Sequence, residues 1–340
     1  LVVIKAMGVG NDLRASQNKI VRKKTTVMQI FDDLDLVSAS ERGSVGALGN
    51  FDGVHHGHRA VIEATQQLAK AQGAPLSVIT FEPHPRSLFQ ADAAPFRLTD
   101  AASRADALAA LGVDLLFQIP FDQNFSLLSA EDFIERILHR TLGLRHVVIG
   151  YDFQFGHRRR GTPEMMIEQA AALGFGATRI NAVHEADGAI YSSTRIRQCL
   201  TEGDPRGAAA LLGRPWGFAA EVEQGDQRGR QLGFPTANLR INNQIQPAAG
   251  VYAVKVALDD GPDAHPQWIN GVANYGRRPT VNDRGQLFEV HLLDKNLDLY
   301  GKTLKVQLID FIRPEIKFDG LDALQAQIAS DSARARDILG

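Results

Sequence analysis

The sequence predicts an α/β fold, a parallel sheet covered by helices on both faces, followed by a small antiparallel β-barrel with a C-terminal helix. Two patterns say so. From Ser44 to about Cys199, strand-like and helix-like segments alternate in the β-α-β-α order of a parallel sheet. After Gly213 the rhythm changes to short strands rich in Val, Ile, Leu and Phe, spaced as in a small barrel. A length of 340 residues suits about two domains.

Residues 1–27 stand apart, with six Lys or Arg against a single acid, Asp12. They are expected to be a disordered extension or the product of an early start, with Met28 as an alternative first residue. The first buried strand is residues 45–49, followed by a helix over 59–71 with Gly73 just past its end. Residues 76–81 form the second strand, 100–111 a helix and 113–119 the third strand. Ser129 caps a helix to about 141, with Asp132 in the place of the capping-box Glu. A strand over 146–150 leads to a helix begun by Thr162-Pro163 and ended by Gly174, then a strand over 177–183. The Gly-, Pro- and Ala-containing stretch 201–213 marks the boundary, giving domains over 28–205 and 213–338. Beyond it, strands are expected over 251–258, 268–274, 287–293 and 304–312, with Asp260-Gly261 as a turn. Leu321, Leu324 and Ile328 recur at helical spacing and mark the apolar face of a closing helix.

Composition removes several functions. Lys plus Arg number 37 and Asp plus Glu 39, a formal net charge of −2, which excludes a broadly basic nucleic-acid-binding protein. With 44% hydrophobic and 22% charged residues, the chain is too apolar for disorder. The single cysteine, Cys199, excludes a disulfide framework and a Cys-based zinc site, and points to the reducing cytoplasm. No apolar run approaches the ~20 residues that span a bilayer, so no membrane partner is expected.

Chemistry concentrates where strands end. The strand 45–49 runs into Asn50-Phe51-Asp52-Gly53-Val54-His55-His56-Gly57-His58 and then a helix. A helix start offers backbone N–H groups and a positive dipole end to an anion such as a triphosphate. His55 and His58 flank Gly57, which admits a close approach to the backbone. Imidazoles there can donate to phosphoryl oxygens as charge builds. A metal site competes, but no third ligand lies nearby and the spacing is not that of the helical zinc pair. Tyr191–Arg197 (YSSTRIR) places Ser193, Thr194 and Arg197 at another helix start, where hydroxyls cap the helix and, with the arginine, suit phosphate. The stretch 150–161, with Asp152, Phe153, Phe155 and Arg159, follows the strand 146–150 and suits an aromatic ligand bearing phosphate. The plainer reading of its arginine run is a solvated loop.

In the second half, Gly225, Gly229 and Gly233 punctuate a loop whose N–H groups favour an anion, unless they serve only a turn. Thr236 and Asn238 offer neutral oxygen ligands suited to Mg²⁺. Glu289 and His291 share one face of a strand; a carboxylate inside a barrel is costly unless paired or working, and the plainer reading has it facing water.

The stretches GNFDGVHHGH and YSSTRIR resemble the HxGH nucleotidylyltransferases, whose sheet is Rossmann-like. With TFEPHPR (80–86) and GYDFQFGHRRRG (150–161), they resemble the FMN adenylyltransferase domain of the bacterial bifunctional riboflavin kinase/FAD synthetases. Pro235–Asn238, Glu289, 271–280 (GVANYGRRPT), 299–302 and 313–318 resemble the riboflavin kinase domain of the same family, so the resemblance covers about 40–338. It implies that the barrel transfers the γ-phosphate of ATP to riboflavin, with Glu289 taking the hydroxyl proton and Thr236 and Asn238 holding Mg²⁺. It also implies that the N-terminal domain joins FMN to AMP, making FAD and pyrophosphate. His55 and His58 would face the developing charge, Ser193, Thr194 and Arg197 the departing phosphates, and Asn50, Gly57, Asp152 and Arg278 the nucleotide or flavin. No protein partner is implied. Arg277 and Lys295-Asn296-Leu297 depart from the family pattern and touch loop geometry and flavin affinity, not the catalytic groups. Two rivals are an adenylyltransferase for another phosphorylated substrate with a flavin-binding barrel, and a non-catalytic flavin carrier or sensor.

Overall fold

The computed structural model describes residues 20–22, 27–90, 93–185, 188–223, 234–259, 261, 266–277, 286–295 and 297–340. The first sheet contains β1 (Ile20–Arg22), β2 (Val27–Phe31), β3 (Val45–Leu48), β4 (Leu76–Glu82), β5 (Leu115–Pro120), β6 (His146–Gly150) and β7 (Gly176–Ile180). Their spatial order is 1-2-5-4-3-6-7, parallel throughout except for the β1–β2 pair. The order reverses at β3: β4 and β5 extend to one side, β6 and β7 to the other. The crevice beyond the carboxyl ends of β3 and β6 is therefore the switch point where such sheets take ligands.

Alternation along the strands builds two apolar layers. Leu48, Ile79, Phe117 and Ile149 face one side, with Phe133, Leu138 and Met166 above them. Val45, Ala47, Val78, Leu116 and Val148 face the other, with Ile62 and Leu108. The covering helices are α1 (His56–Ala71), α2 (Pro85–Phe89), α3 (Ala101–Ala110), α4 (Gln123–Ser126), α5 (Ala130–Asp132, continuing as a π-helix over Phe133–Thr141) and α6 (Pro163–Leu173). The caps read from the sequence are present. Ser129 Oγ accepts from Asp132 N at 3.0 Å and Thr162 Oγ1 from Met165 N at 3.3 Å, while Gly174 ends α6 at φ 84°. The expected single α-helix after Ser129 is instead wound wider, with Leu142 N donating to Ile137 O five residues back.

The sequence pattern overlooked β2, part of which lies before Met28. Met28 is fully buried, and β1, inside the segment expected to be an extension, pairs with β2. Residues 1–19 and 23–26 lie outside the described residues.

The stretch 201–213 is not a loose connector. It holds the end of α7 (Ser193–Thr201) and α8 (Pro205–Leu212), the latter capped by Asp204, which accepts from Gly207 N at 2.8 Å. Ile196, Leu200, Leu211 and Leu212 share one apolar cluster with Leu98 and with the barrel interior. That barrel is closed, in the order β10-β11-β12-β9-β8-β13. Its strands are β8 (Trp216–Glu223), β9 (Ala237–Leu239), β10 (Gly250–Leu258), β11 (Ile269–Arg277), β12 (Gln286–Leu292) and β13 (Thr303–Pro314). Phe218, Leu239, Tyr252, Ala273, Phe288, Val290 and Val306 fill it, Tyr275 stacking on Phe288 at 4.3 Å.

The closing helix, α9 (Leu321–Leu339), packs with the expected face: Leu324 and Ile328 are half-buried, and the same face continues through Asp331 and Ala335. Leu321 is exposed, and Asp331, Ser332 and Ala335 are the buried residues. Ala335 packs on Val251, Ala253 and Val272 of the barrel's outer face, where a small side chain allows a close approach. Arg313, at the end of β13, donates from Nε to Asp331 Oδ1 at 2.9 Å and from Nη2 to Oδ2 at 2.7 Å; Gln327 Nε2 adds a bond of 2.9 Å. Asp331→Ala leaves this guanidinium without its counter-charge and should lower stability by about 3 kcal/mol, read as a shift in the urea unfolding midpoint. A shift equal to that of a solvent-facing Asp322→Ala control would refute a clamping role.

Candidate active site

The loop between β3 and α1 is built on left-handed backbone. Phe51, Gly53 and Val54 have φ of 50°, 88° and 47°. A β-branched residue at positive φ is strained, by about 1–3 kcal/mol, and persists only where its surroundings hold it. Asp52, 3% exposed, is the first such support. Its carboxylate accepts from Leu98 N at 2.9 Å and Thr99 N at 3.1 Å, and from Arg197 Nη2 at 2.5 Å. Its carbonyl accepts from Ser193 Oγ at 2.9 Å, and Gly53 N donates to Thr99 Oγ1 at 3.2 Å. The carbonyl of Asn50 accepts from Thr80 Oγ1 at 3.1 Å.

This frame delivers two imidazoles to the start of α1. His55 is its N-cap, Nδ1 accepting from His58 N at 3.4 Å, which assigns the ring proton to Nε2. The rings of His55 and His58 stack with centroids 3.7 Å apart. A side chain at Gly57 would come within 3.1 Å of His55 and 3.3 Å of the Tyr191 carbonyl, so the glycine is needed for this packing. Burial holds His55 down at about 4, and burial followed by the neighbouring His55 holds His58 well below its ordinary value. Both are therefore neutral donors at pH 7. His58 Nδ1 is buried with no hydrogen-bond partner.

The structure thus gathers Asn50, His55, Gly57, His58, Ser193 and Arg197, with Thr194 exposed on the first turn of α7. Ser193 and Arg197, which the sequence suggests for phosphate, have protein partners here: Ser193 Oγ on the Asp52 carbonyl, Arg197 on Asp52 and, through Nε at 2.7 Å, on Phe96 O. Across the switch point, Asp152 and Arg159 are exposed. Phe153 is only partly buried, but Phe155 leaves the proposed ligand set. It is 5% exposed, packed against Phe133 at 5.7 Å, and held to Gly161 by paired backbone bonds. Gly156 lets this loop lie against α5, where a Cβ would meet Ala130 backbone atoms at 2.6 Å.

Three residues inside the motifs, Asp52, Glu82 and His84, and Arg104 of α3 escaped the sequence analysis. Arg97 and Arg104 both clasp Glu82, at 2.5 and 2.8 Å. Burial raises the Glu82 carboxyl, but the two guanidiniums outweigh it and hold it below its ordinary range. The signal was a carboxylate placed just before Gly53, and another just before Pro83, where a solvated charge has no reason to be.

On the barrel, Phe288 and Val290 point inward, so Glu289 and His291 face outward. This corrects the expectation of an interior carboxylate. Glu289 is half-buried and lies opposite Asn238 of β9 and Asn274 of β11 in register. Directly opposed residues have Cβ atoms about 4.5–5.5 Å apart. Asn238, 5% exposed, is in turn opposite Glu223 of β8. His291 Nδ1 donates to Pro235 O at 2.9 Å, tying the turn that carries Thr236 to the strand that carries Glu289. Neutral and anionic oxygens grouped in this way suit a hard cation. Gly225, Gly229, Gly233, Arg278 and Asn296 lie outside the described residues. Among the described residues, no cluster of three His, Cys, Asp or Glu forms a protein-only metal site, and no helix is long and apolar enough to cross a membrane.

The FAD synthetase family model matches residues 37–195, and the riboflavin kinase family model matches 212–339. Curated relatives include bifunctional riboflavin kinase/FMN adenylyltransferases. That of Escherichia coli K12 is 41% identical over 90% of this chain and 96% of its own. That of Haemophilus influenzae is 39% identical over 91% and 98%, and that of Bacillus subtilis 37% over 88% and 94%. A solved Streptococcus pneumoniae structure, described as a macrolide-efflux protein, matches 90% of this chain and 98% of its own at 30% identity and TM-score 0.78.

The buried His55 makes stability depend on pH. Unfolded, it takes a proton near 6.5; folded, only near 4. Between those values the unfolded chain binds more protons, so stability falls as pH drops from 6.5 to 4 and the effect levels off below. The expected size is roughly 3 kcal/mol. Urea midpoints at pH 7, 5.5 and 4.5 should fall less steeply in His55→Asn than in the unaltered chain. His84, also held down at about 4 by burial, adds the same slope to both. Equal slopes would show that His55 is not held neutral.

Proposed function

The chain belongs to the bifunctional riboflavin kinase/FMN adenylyltransferase family, an enzyme of flavin-cofactor synthesis that makes FMN and then FAD, and we propose that each reaction has its own site in its own half. The observation that carries this reading is the separation of the two chemical sets. His55 and His58 stand at the switch point of a parallel sheet, and Glu289 and Asn238 on the outer face of a barrel.

In the kinase half, covering 213–338, Glu289 accepts the proton of the ribityl 5′-hydroxyl as that oxygen attacks the γ-phosphorus of ATP. Asn238, Thr236 and the backbone of the loop with Gly225, Gly229 and Gly233 hold the nucleotide end. Thr236 and Asn238 would hold Mg²⁺, which would supply neutralisation of phosphate charge. His291 keeps the Thr236 turn beside Glu289. Arg278 contacts the flavin.

In the adenylyltransferase half, 28–205, the FMN phosphate is itself the nucleophile at the α-phosphorus, and pyrophosphate leaves. No protein base is needed, because that phosphate is ionised at neutral pH. His55 and His58 donate as neutral imidazoles to phosphoryl oxygens, and the N-terminus of α1 adds its positive end. Thr194 and Arg197 meet the departing phosphates, Arg197 being held by Asp52. Asp152, Phe153 and Arg159 line the flavin side. Neither reaction calls for a nucleic acid, a membrane or a protein partner, and the lone free thiol, Cys199, fits the cytoplasm. A passive flavin carrier would need neither catalytic set.

Two substitutions test the division. Glu289→Gln should lower riboflavin phosphorylation roughly 10²–10⁴-fold while FAD still forms from added FMN. His58→Ala should lower FAD formation by about 10²–10³-fold while FMN accumulates from riboflavin. Products are resolved by chromatography, starting from each flavin in turn. Loss of both activities in either folded variant would mean a single shared site and end the two-site reading.

A further inference from the structure

The strained turn before His55 has a second support, and it comes from the other half of the chain. Arg214 lies within the residues matched by the riboflavin kinase model, two residues before β8 begins. Its guanidinium reaches back: Nη2 donates to Gly53 O at 2.8 Å and Nη1 toward Val54 O at 3.4 Å. These are the carbonyls of the two left-handed residues that immediately precede His55. Neighbours of Arg214 press on the same loop. A Cβ on Gly53 would meet Leu212 at 3.2 Å, and one on Gly213 would meet the His56 ring at 2.8 Å. Trp216 Nε1 donates to Leu98 O at 2.9 Å, on the residue whose N–H is held by Asp52. Burial, followed by the nearby Arg59, holds the Arg214 guanidinium down at about 10, so it remains a cation at neutral pH.

We infer that Arg214 is a positioning residue for FAD formation, supplied by the kinase half, that fixes the Gly53–Val54 turn so that His55 and His58 meet the nucleotide phosphates. A guanidinium suits the task because its planar fork can serve two adjacent carbonyls at once, which an ammonium cannot do in a fixed plane. The inference rests on the proposed role of the two histidines. It predicts a residue that matters for the rate of one reaction while touching neither its substrates nor the other site.

The test uses the full chain and measures FMN to FAD and riboflavin to FMN separately, each at varied ATP. Arg214→Met should lower kcat for FAD formation about 10²-fold, the usual cost of an ångström of misplacement, with the KM for ATP within about threefold. Arg214→Lys should recover part of that loss. Riboflavin phosphorylation should stay within about twofold in both, which also reports that the barrel is folded. The double variant His58→Ala/Arg214→Met should be no slower than the slower single variant, because the arginine acts through the histidine loop. Unchanged FAD formation in Arg214→Met overturns the proposal. So does a loss confined to the KM for ATP, which would mean direct nucleotide binding, or an equal loss of both activities, which would mean a general packing role. If His58→Ala alone leaves FAD formation intact, the reading of the histidines has failed; if only the Arg214 variants do, the positioning role has.

Discussion

The buried carboxylate of Asp52 is the interaction on which the N-terminal site depends. A charge at 3% exposure is tolerable only with full hydrogen bonding, and Asp52 has it: two backbone N–H groups from one direction and Arg197 from another. The partners belong to two different stretches of chain. Leu98 packs in the apolar cluster shared with the barrel, and Arg197 lies on α7. One side chain therefore draws the histidine loop, the segment before α3 and the helix that leads into the second half onto a common centre. The left-handed φ values of Phe51, Gly53 and Val54 are sustainable because this centre does not yield.

The barrel solves the opposite problem. Its interior is closed with aromatic and aliphatic side chains, and the groups we propose for phosphoryl transfer lie outside, on the alternate residues of the same strands. The period of two places Asn238, Glu289 and Asn274 side by side across three strands without any irregular loop. The first site is held by a strained loop and a buried charge; the second follows from strand register, with one hydrogen bond from His291 adjusting the adjoining turn.

Much of this was legible in the sequence. The strand at 146–150, the helix between Thr162 and Gly174, and the two histidines at a helix start follow from local pattern, because burial alternation, caps and helix-ending glycines are written within a few residues. What escaped depends on contacts far apart in the chain. Strand β9 is only three residues long and is defined by its partners, β12 and β8. The stretch 201–213 resembles a linker in composition, yet Leu211 and Leu212 are buried against the barrel. Phe155 looked like a ligand contact because an aromatic beside arginines carries no mark of which neighbours it meets. On α9 the face of Leu324 and Ile328 was legible, but not its continuation through Asp331, a buried aspartate made acceptable by an arginine 18 residues earlier.

The closed barrel also has a consequence in time. Strand β8 pairs with β13 from Thr303 onward, and β10 pairs with β13 too, so the ring cannot shut until residues near 314 have left the ribosome. The parallel sheet, by contrast, is complete at Ile180. At synthesis rates of about 5–20 residues per second, the finished sheet waits about 7 to about 27 seconds for the barrel to close. In that interval Leu98, Ile196 and Leu200 have no barrel wall to pack on. A growing chain thus exposes these apolar residues until the second half arrives.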